Sequence, residues 1–320
     1  MAVQFYLGSG GGTVVFCFGS WYTHKKDAGV PAKPGENERK GDVCMDRPLI
    51  SVVMAAYNVA DRAVLDLAIE SILGQDTGDW ELLICDDAST NETYRWLQDW
   101  QGRDGRICVI RNETNRKAAA ARNRCIAMAR GEYIAIMDAD DACSPDRLRL
   151  QAEFLDSNPQ YDFVGLRGER FIQVPGDRDD PYWLCARPRP EDFRMTLPFV
   201  HASLMFRRQA LLAVGGYEET ARVERSEDYD LLLRMYAQGM RGANLAHGTY
   251  YFREDESAFR RRKYRYRLRE CAVKWRGFRK LGLMPHAAPY ALKPLIVGLL
   301  PAVLLVRWKG KYYGKHTETD

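Results

Sequence analysis

The chain has 320 residues, of which 46% are hydrophobic and 28% charged, enough apolar material for one large folded domain with an appendage. This composition, with a mean hydropathy of −0.41, excludes a chain that is disordered throughout and a polytopic membrane protein. The formal charge of +4 is unevenly divided, because residues 1–259 carry −9 and residues 260–320 carry +13. A basic C-terminal region on an acidic body favours a polyanionic partner.

The N-terminal part of the chain differs in composition from the remainder. Residues 1–47 combine a glycine-rich stretch, one short apolar run and a polar segment with two prolines, so we expect a poorly ordered extension. Met45 stands just before the first strong strand pattern and is an alternative start of translation. The apolar run is too short for a signal-peptide core, and no basic segment precedes it.

Strand and helix patterns alternate from residue 48 onward. Residues 49–55 form a continuous apolar run, typical of a strand covered on both faces. Asn58 or Asp61 can cap the next helix, which runs to about Leu73. Further strands are predicted at 80–85, 107–110, 133–137 and 163–166, and further helices from about 91, over 118–129, from Pro145 to Asp156 and over 230–236. This order predicts an α/β fold in layers with a largely parallel sheet.

Acidic residues follow two of the predicted strands, where an α/β sheet binds its ligands. They are Asp86 and Asp87 after one strand, and Asp138, Asp140 and Asp141 after another. Two such carboxylates about 4 Å apart would repel by roughly 4 kcal/mol at an effective dielectric constant near 20. A hard divalent cation, Mg²⁺ or Mn²⁺, would offset that repulsion. Capping or turn formation remains the simpler explanation for any single acid of the set.

Two common phosphate-binding motifs are absent from the sequence. No G-x-G-x-x-G follows the first strand, and no G-x-x-x-x-G-K-[ST] occurs anywhere in the chain. We therefore expect phosphates to be held by a metal and by side chains. Two carboxylates spaced as D-x-D can chelate one cation that bridges a diphosphate.

Five ordered segments between about residues 48 and 255 carry a family resemblance. They are S-V-V-M-A-A-Y-N, I-C-D-D-A-S-T, A-R-N-R-C-I-A-M-A-R-G-E-Y-I-A-I-M-D-A-D-D, V-G-G-Y and S-E-D-Y-D-L-L-L-R. In this order and spacing they resemble glycosyltransferase family 2, with the GT-A fold. The resemblance implies a Rossmann-like α/β/α sandwich, a nucleotide-diphosphate-sugar donor and inversion at the anomeric carbon.

The resemblance also implies roles for residues on the donor side. Ala56 and Tyr57 would line the nucleoside pocket, and Asp87 would accept a hydrogen bond from the base, which favours uracil. Asp138 would lie near the ribose and the metal, and Asp140 would bind the metal, Mn²⁺ or Mg²⁺.

On the other side of the site, the resemblance implies that Gly215 and Gly216 bring backbone close to the donor sugar and that Asp228 is the general base. The glycines are equally well explained as a helix C-terminal turn. Asp228 opens a predicted helix and could be its N-cap, and the nearest alternative bases are Glu227 and Asp230.

Four further polar residues fit more than one role. Lys117, Arg122 and Asn123 on the alanine-rich helix could reach phosphate or lie on a solvated face. His201 falls in F-V-H-A-S-L-M-F, a predicted strand, where a core histidine is favoured over one that contacts diphosphate or acceptor.

The C-terminal region combines basic and apolar residues. Residues 256–282 are predicted to form an amphipathic helix whose apolar face carries Tyr264, Leu268, Cys271, Trp275 and Phe278. Residues 295–306 are apolar but interrupted by glycine and proline, and as a helix they would span about 18 Å, short of the roughly 30 Å hydrocarbon core. We expect contact with an anionic membrane surface, with docking on the body as an alternative and nucleic acid disfavoured.

These patterns predict three regions: an extension over 1–47, a GT-A catalytic domain over 48–255 and a membrane-associating tail over 256–320. They predict an inverting, metal-dependent enzyme that moves a sugar, with UDP-sugar favoured, to a saccharide or lipid-linked saccharide in surface polysaccharide biosynthesis. In the family that this chain resembles, processive members carry a Q-x-x-R-W motif and long transmembrane helices, but neither that motif nor an 18-residue apolar run occurs here, so we expect a non-processive enzyme. We expect it to be cytoplasmic and peripheral on the inner face of the cell membrane. The alternatives are a non-catalytic nucleotide-sugar-binding protein and a nucleotidyltransferase of related fold.

Overall fold

The computed structural model describes residues 47–178, 181–182, 184–253 and 264–299. Expectations for residues 1–46, for the start of the amphipathic helix at 256–263 and for the apolar run beyond residue 299 lie outside the described residues.

Four parallel strands form the first half of the sheet. They are β1 (Ile50–Ala56), β2 (Trp80–Asp86), β3 (Ile107–Arg111) and β4 (Tyr133–Asp138). Their order is β3-β2-β1-β4, and Ile50 pairs in register with both Trp80 and Tyr133. The carboxyl ends of these strands therefore lie at one edge of the sheet.

The second half of the sheet mixes parallel and antiparallel pairs. Its strands are β5 (Ala142–Cys143), β6 (Phe163–Phe171), β7 (Pro181–Tyr182), β8 (Met205–Arg207) and β9 (Gly242–Arg253). Within the described residues the order is β3-β2-β1-β4-β8-β6-β9-β5, with β7 on β6. Because β8 runs antiparallel to both β4 and β6, those two strands point the same way, and β6 also pairs in parallel with β9.

Helices cover both faces of the sheet, as the α/β alternation predicts. They are α1 (Arg62–Leu73), α2 (Thr93–Gln101), α3 (Lys117–Met128), α4 (Arg147–Ser157), α5 (Arg208–Ala213), α6 (Glu227–Ala237), α7 (Tyr264–Lys280) and α8 (Ala288–Leu299). Two apolar clusters flank the sheet in the described chain, one with α1, α2 and α4, the other with α3 and α5 to α8. Along β1, Val52 and Met54 enter the first cluster and Val53 the second, as the two-residue period of a strand requires. The predicted α/β/α sandwich is confirmed.

Three local predictions are resolved by the backbone. Asp61 is the N-cap of α1 and accepts a hydrogen bond from Ala63 N at 3.0 Å. Pro145 does not lie in the first turn of α4, because Asp146 is the N-cap and the helix begins at Arg147. The strand prediction for His201 is wrong, since residues 201–203 form a 3₁₀ turn and β8 begins only at Met205.

The predicted apolar face of α7 is wrong in part. Phe278 is buried, but Tyr264, Leu268 and Trp275 are exposed, whereas Lys274 lies inside the structure. The reason is close packing of α7 on α6, where a methyl group at Gly277 would collide with the Leu233 side chain. The buried face of α7 is therefore centred on its smallest residue. Among the described residues, no helix is both long enough and apolar enough to cross a membrane.

Candidate functional site

The predicted site residues converge on the carboxyl edge of the parallel strands. Asp138 ends β4 and pairs in register with Ala55, while Ala56 pairs with Asp86 at the ends of β1 and β2. The first turn of α6 adds Glu227. Burial lowers the pKa of Arg122, but the negative charges of Asp138 and Glu227 both raise it, and the net effect is a raised pKa. The structure thus brings the D-x-D segment and the E-D segment to the same cluster.

The turn after β1 is held to the loop after β2. Asn58 has a φ of +46°; its amide donates to Ser89 Oγ at 2.9 Å and its side-chain oxygen accepts from Thr90 N at 2.8 Å. Ala56 is buried at the end of β1, whereas the neighbouring Tyr57 ring is exposed at this edge. Of the two predicted nucleoside contacts, Tyr57 therefore offers the accessible side chain.

Asp87 anchors the start of α3. One carboxylate oxygen accepts from Arg116 N and Asn112 Nδ2, both at 2.8 Å, and the other accepts from Lys117 N at 2.7 Å. A carboxylate is a favourable partner for the free amides of a helix N-terminus. The predicted contact of Asp87 with a base stays a prediction, and its carboxylate is buried and already accepts three bonds within the chain.

Arg122 of α3 forms an ion pair with Asp138. Its Nη2 lies 2.6 Å from Asp138 Oδ1, and its side chain is almost fully buried. Burial is the largest influence on the pKa of Asp138 and raises it, but the charge and hydrogen bond of Arg122, together with nearby groups such as Arg147, hold that pKa below its usual value. Arg122 Nε is buried without a hydrogen-bond partner among the described residues. The sequence predicted that Arg122 lies on the alanine-rich helix, but it did not identify Asp138 as the partner of that side chain.

The other two acids after β4 differ from each other. Asp140 is exposed, whereas Asp141 is buried and accepts from Tyr250 OH at 2.9 Å and from Arg253 N at 2.8 Å. Burial and the neighbouring Asp138 raise the pKa of Asp141 well above its usual value. Asp141 thus fastens the D-x-D turn to β9.

Asp138 and Asp140 are the acids that suit a divalent cation. Both offer carboxylate oxygen, the ligand that Mg²⁺ and Mn²⁺ prefer, and neither is sealed in the core. No group of three or more metal-ligating side chains occurs in the part of the chain that the structure describes. Two protein carboxylates leave positions for diphosphate and water, the usual arrangement for Mg²⁺ in phosphate chemistry. The residues therefore fit the predicted cation.

Tyr217 lies between the two acidic groups, although the sequence reasoning assigned it no role. Its hydroxyl is 2.8 Å from His201 Nε2, and its ring lies beneath Arg122 at 5.6 Å. Burial, and then the nearby Arg122 charge, lower the pKa of His201 to about 3, so the imidazole is neutral near pH 7. The available signal was an aromatic residue directly after a double glycine.

The double-glycine turn is fully hydrogen-bonded within the chain. Gly215 and Gly216 have φ values of +78° and +65°, and their amides donate to Leu212 O at 2.9 Å and Leu211 O at 3.0 Å. This is a helix C-terminal turn, one of the two roles expected for the pair. A methyl group at Gly216 would lie 2.7 Å from Asn123 Oδ1. The contact of these glycines with a donor sugar stays a prediction.

Side chains from two helices hold that turn in place. Asn123 of α3 accepts from Tyr217 N at 2.9 Å and donates to Tyr217 O at 2.8 Å. Arg234 of α6 donates to Val214 O at 2.6 Å and Gly216 O at 2.7 Å, and it pairs with Asp230 at 2.7 Å. Asp230 is therefore committed to an ion pair, which leaves Glu227 as the principal alternative to Asp228.

Asp228 lies in the first turn of α6, but the N-cap of that helix is Ser226. Burial, and then the neighbouring Glu227 carboxylate, raise the pKa of Asp228 to about 6. Glu227 Oε2 is buried without a hydrogen-bond partner among the described residues. A carboxylate whose pKa lies near neutrality is suited to general-base catalysis.

Comparisons with known proteins give matches to two family models and to several relatives. Residues 51–214 match the model of "Glycosyl transferase family 2", and residues 133–310 match "Glycosyl transferase family group 2". The chain is 38% identical over 267 residues to the putative glycosyltransferase EpsE of Bacillus subtilis, covering 82% of this chain and 94% of EpsE. A second relative, the putative teichuronic acid biosynthesis glycosyltransferase TuaG of Bacillus subtilis, is 38% identical over 120 residues, covering 37% of this chain and 47% of TuaG.

Two solved structures share the fold at low sequence identity. The S. aureus protein TarS in complex with UDP-GlcNAc has a TM-score of 0.61 and 18% identity, covering 82% of this chain and 78% of TarS. The mannosyltransferase PcManGT of Pyrobaculum calidifontis, in complex with GDP-Man and Mn²⁺, has a TM-score of 0.54 and 20% identity, covering 85% and 82%. Both neighbours thus hold a nucleotide-sugar, and one of them a divalent metal.

Proposed function

Because the chain belongs to glycosyltransferase family 2, we propose that it transfers one sugar from a nucleotide-diphosphate sugar to a saccharide or lipid-linked saccharide acceptor. The family and the GT-A fold make the chain a glycosyltransferase; donor, acceptor and inversion are the proposal. The homologues of polysaccharide biosynthesis support a role in building surface polysaccharide.

One observation carries the proposal: a carboxylate with its pKa raised to about 6 lies in the same cluster as the D-x-D acid at the end of β4. Asp228 in its ionised form takes the proton of the acceptor hydroxyl as that oxygen attacks the sugar. Positioned base catalysis of this kind contributes about 10²–10⁴-fold to the rate. Attack assisted from the side opposite the leaving diphosphate inverts the anomeric carbon.

Asp138 and Asp140 are the residues that would hold Mn²⁺ or Mg²⁺. A cation held there would supply positive charge to the diphosphate and so favour its departure as a leaving group. Arg122 holds one oxygen of Asp138 at 2.6 Å and leaves the other oxygen for a second partner. Asp141, tied to Tyr250 and β9, keeps the D-x-D turn in place.

The nucleoside is assigned to the edge beside β1 and β2. Tyr57 is exposed there, next to Ala56, whose carbonyl accepts from Asp87 N at 2.8 Å. A UDP-sugar is the favoured donor, and the TarS structure with UDP-GlcNAc supports that choice. Because PcManGT is solved with GDP-Man, a GDP-sugar is the first alternative donor to assay.

Single-sugar transfer at the inner face of the cell membrane completes the proposal. The chain lacks the Q-x-x-R-W motif of processive members, and its last 61 residues carry +13. A cytoplasmic enzyme held on that surface would meet lipid-linked acceptors there.

The decisive experiment replaces Asp228 with Asn. We expect transfer to fall by about 10²–10⁴-fold while UDP-sugar binding, measured by calorimetry with Mn²⁺, stays within about twofold. Glu227→Gln is the matched control, and it should retain most of the turnover. Turnover of Asp228→Asn at the wild-type rate would contradict the assignment of the base.

Product analysis separates the alternative functions. Proton NMR of the product from an α-linked donor should show a β-linkage. Binding of UDP-sugars without transfer to any acceptor would favour a nucleotide-sugar-binding protein. Release of pyrophosphate from a nucleoside triphosphate and a sugar phosphate would favour a nucleotidyltransferase.

A further inference from the structure

We propose that the outward faces of α7 and α8 form one apolar surface with which the protein lies on an anionic lipid bilayer. On α7, Tyr264, Leu268 and Trp275 are 42–52% exposed. Their spacings of four and seven residues place them on one side of the helix, away from the face that packs on α6.

The second helix carries an exposed apolar stripe of its own. On α8, Leu292, Ile296 and Leu299 are 42–73% exposed and recur at spacings of four and three residues. A methyl group at Gly298 would lie 3.1 Å from the Tyr264 ring, so the two helices are in close contact beside the exposed α7 stripe. Six large apolar side chains on one helical pair are unusual for a surface that meets only water.

Exposed basic residues lie beside the apolar stripe of α7. Arg265, Arg276, Arg279 and Lys280 of α7 are exposed. Glu270, the single acid of residues 260–299, is held by Arg267 at 3.1 Å and by Lys274 at 3.6 Å. An apolar stripe flanked by cations is the pattern of a helix that lies in the interface of an anionic membrane.

Charge also decides between the bilayer and other occupants of this surface. A second copy of the chain would bring one region of +13 against another, which disfavours a dimer through this face. Anionic lipid headgroups complement the cations, and the sequence beyond residue 299 continues with apolar residues and then basic ones. A bilayer is therefore the occupant that matches both the apolar and the basic character.

The helical pair is packed directly on the helix that carries the proposed base. Gly277 of α7 meets Leu233 of α6, and Lys274 Nζ lies 5.1 Å from the centre of the Tyr229 ring, next to Asp228. Membrane contact through α7 would hold α6 at a fixed depth relative to the lipid headgroups. The inference deepens the membrane attachment of the proposed function by naming the surface that makes it, and delivery of a lipid-linked acceptor to Asp228 rests on the proposed transfer.

Vesicle flotation of the full chain tests the surface. We expect binding to vesicles of phosphatidylcholine mixed with phosphatidylglycerol, and weak binding to phosphatidylcholine alone. The double variant Leu268→Asp with Trp275→Asp should lose binding by about tenfold or more, because it places charge at the lipid boundary. Met128→Asp is the matched control, since Met128 is 43% exposed on α3 and should leave binding unchanged.

Three results would overturn the inference. They are absence of flotation with anionic vesicles, flotation of the double variant equal to that of the wild type, and conversion of a dimer to a monomer by the double variant. Circular dichroism checks that both variants are folded.

Transfer to a water-soluble acceptor separates this inference from the proposed function. The double variant should keep wild-type activity in that assay. If the wild-type chain shows no transfer in that assay, the proposed function is contradicted, and the flotation result is unaffected.

Discussion

The acids on the two sides of the carboxyl edge have opposite surroundings. On the α3 side, Asp87 accepts three hydrogen bonds and Asp138 is paired with Arg122 at 2.6 Å. On the α6 side, Asp228 lies beside the like charge of Glu227, whose Oε2 has no hydrogen-bond partner among the described residues.

This difference separates acids that hold the structure from an acid that can exchange a proton. Donors around Asp87 fix the start of α3, and the Arg122 charge favours the ionised form of Asp138. Near Asp228, burial and Glu227 instead raise the pKa to about 6, where the carboxyl can gain or lose a proton near neutral pH. The contrast lies in the surroundings and not in the residue type.

The largest expected effect on stability comes from removing Arg122, the ion-pair partner of Asp138. Arg122→Met should lower the free energy of unfolding by about 2–3 kcal/mol, because it leaves Asp138 without its partner and Asp138 is only one-third exposed. Arg116→Met removes an exposed ion pair with Glu219 and should cost less than about 1 kcal/mol. Urea unfolding measures both variants, and equal losses would contradict the distinction between the two pairs.

A second test exchanges one acid on each side for its amide. Asp87→Asn should lower the free energy of unfolding by about 1–3 kcal/mol, because an amide cannot accept from all three donors. Asp228→Asn should raise it by about 1 kcal/mol at pH 7, since the raised pKa means that the charged form costs stability as the pH rises from about 4 to about 6, and this loss is complete at pH 7. Thermal melts compare the two, and destabilisation by Asp228→Asn would count against its raised pKa.

The smallest expected effect is a shift in pH dependence. The proposed base, Asp228, would act only when ionised, so kcat/KM should fall as the pH drops through about 6, the pKa of that carboxyl. Glu227→Gln removes the neighbouring negative charge, lowers that pKa and should move the fall to a pH about one unit lower. Rate profiles of the wild type and of Glu227→Gln measure the shift, and identical profiles would show that Glu227 does not act on the base.

Much of the fold was predictable from local patterns in the sequence. The buried run of β1 was predicted within one residue, and Asp61 was one of the two predicted caps of α1, because strand burial and helix capping depend on neighbouring residues. The apolar residues around His201 also resembled a strand, yet the chain turns there. Short apolar runs do not distinguish these outcomes, since packing decides between them.

The roles within the site were less predictable than its location. Tyr217 received no role because nothing local shows that His201 reaches its hydroxyl or that Asn123 holds its backbone. Arg234 lies four residues after Asp230, a spacing at which helical ion pairs are common. Only the folded chain shows that Arg234 also donates hydrogen bonds to the carbonyls of the double-glycine turn.

The sequence by itself determined the family, the α/β order and the edge at which the acids meet. It could do so because parallel strands bring their carboxyl ends to one side of a sheet. Only the tertiary structure decided which acids are satisfied and which face of α7 is buried. Those outcomes depend on contacts between distant segments: Arg122 with Asp138, and Gly277, the residue small enough for α7 to pack on Leu233.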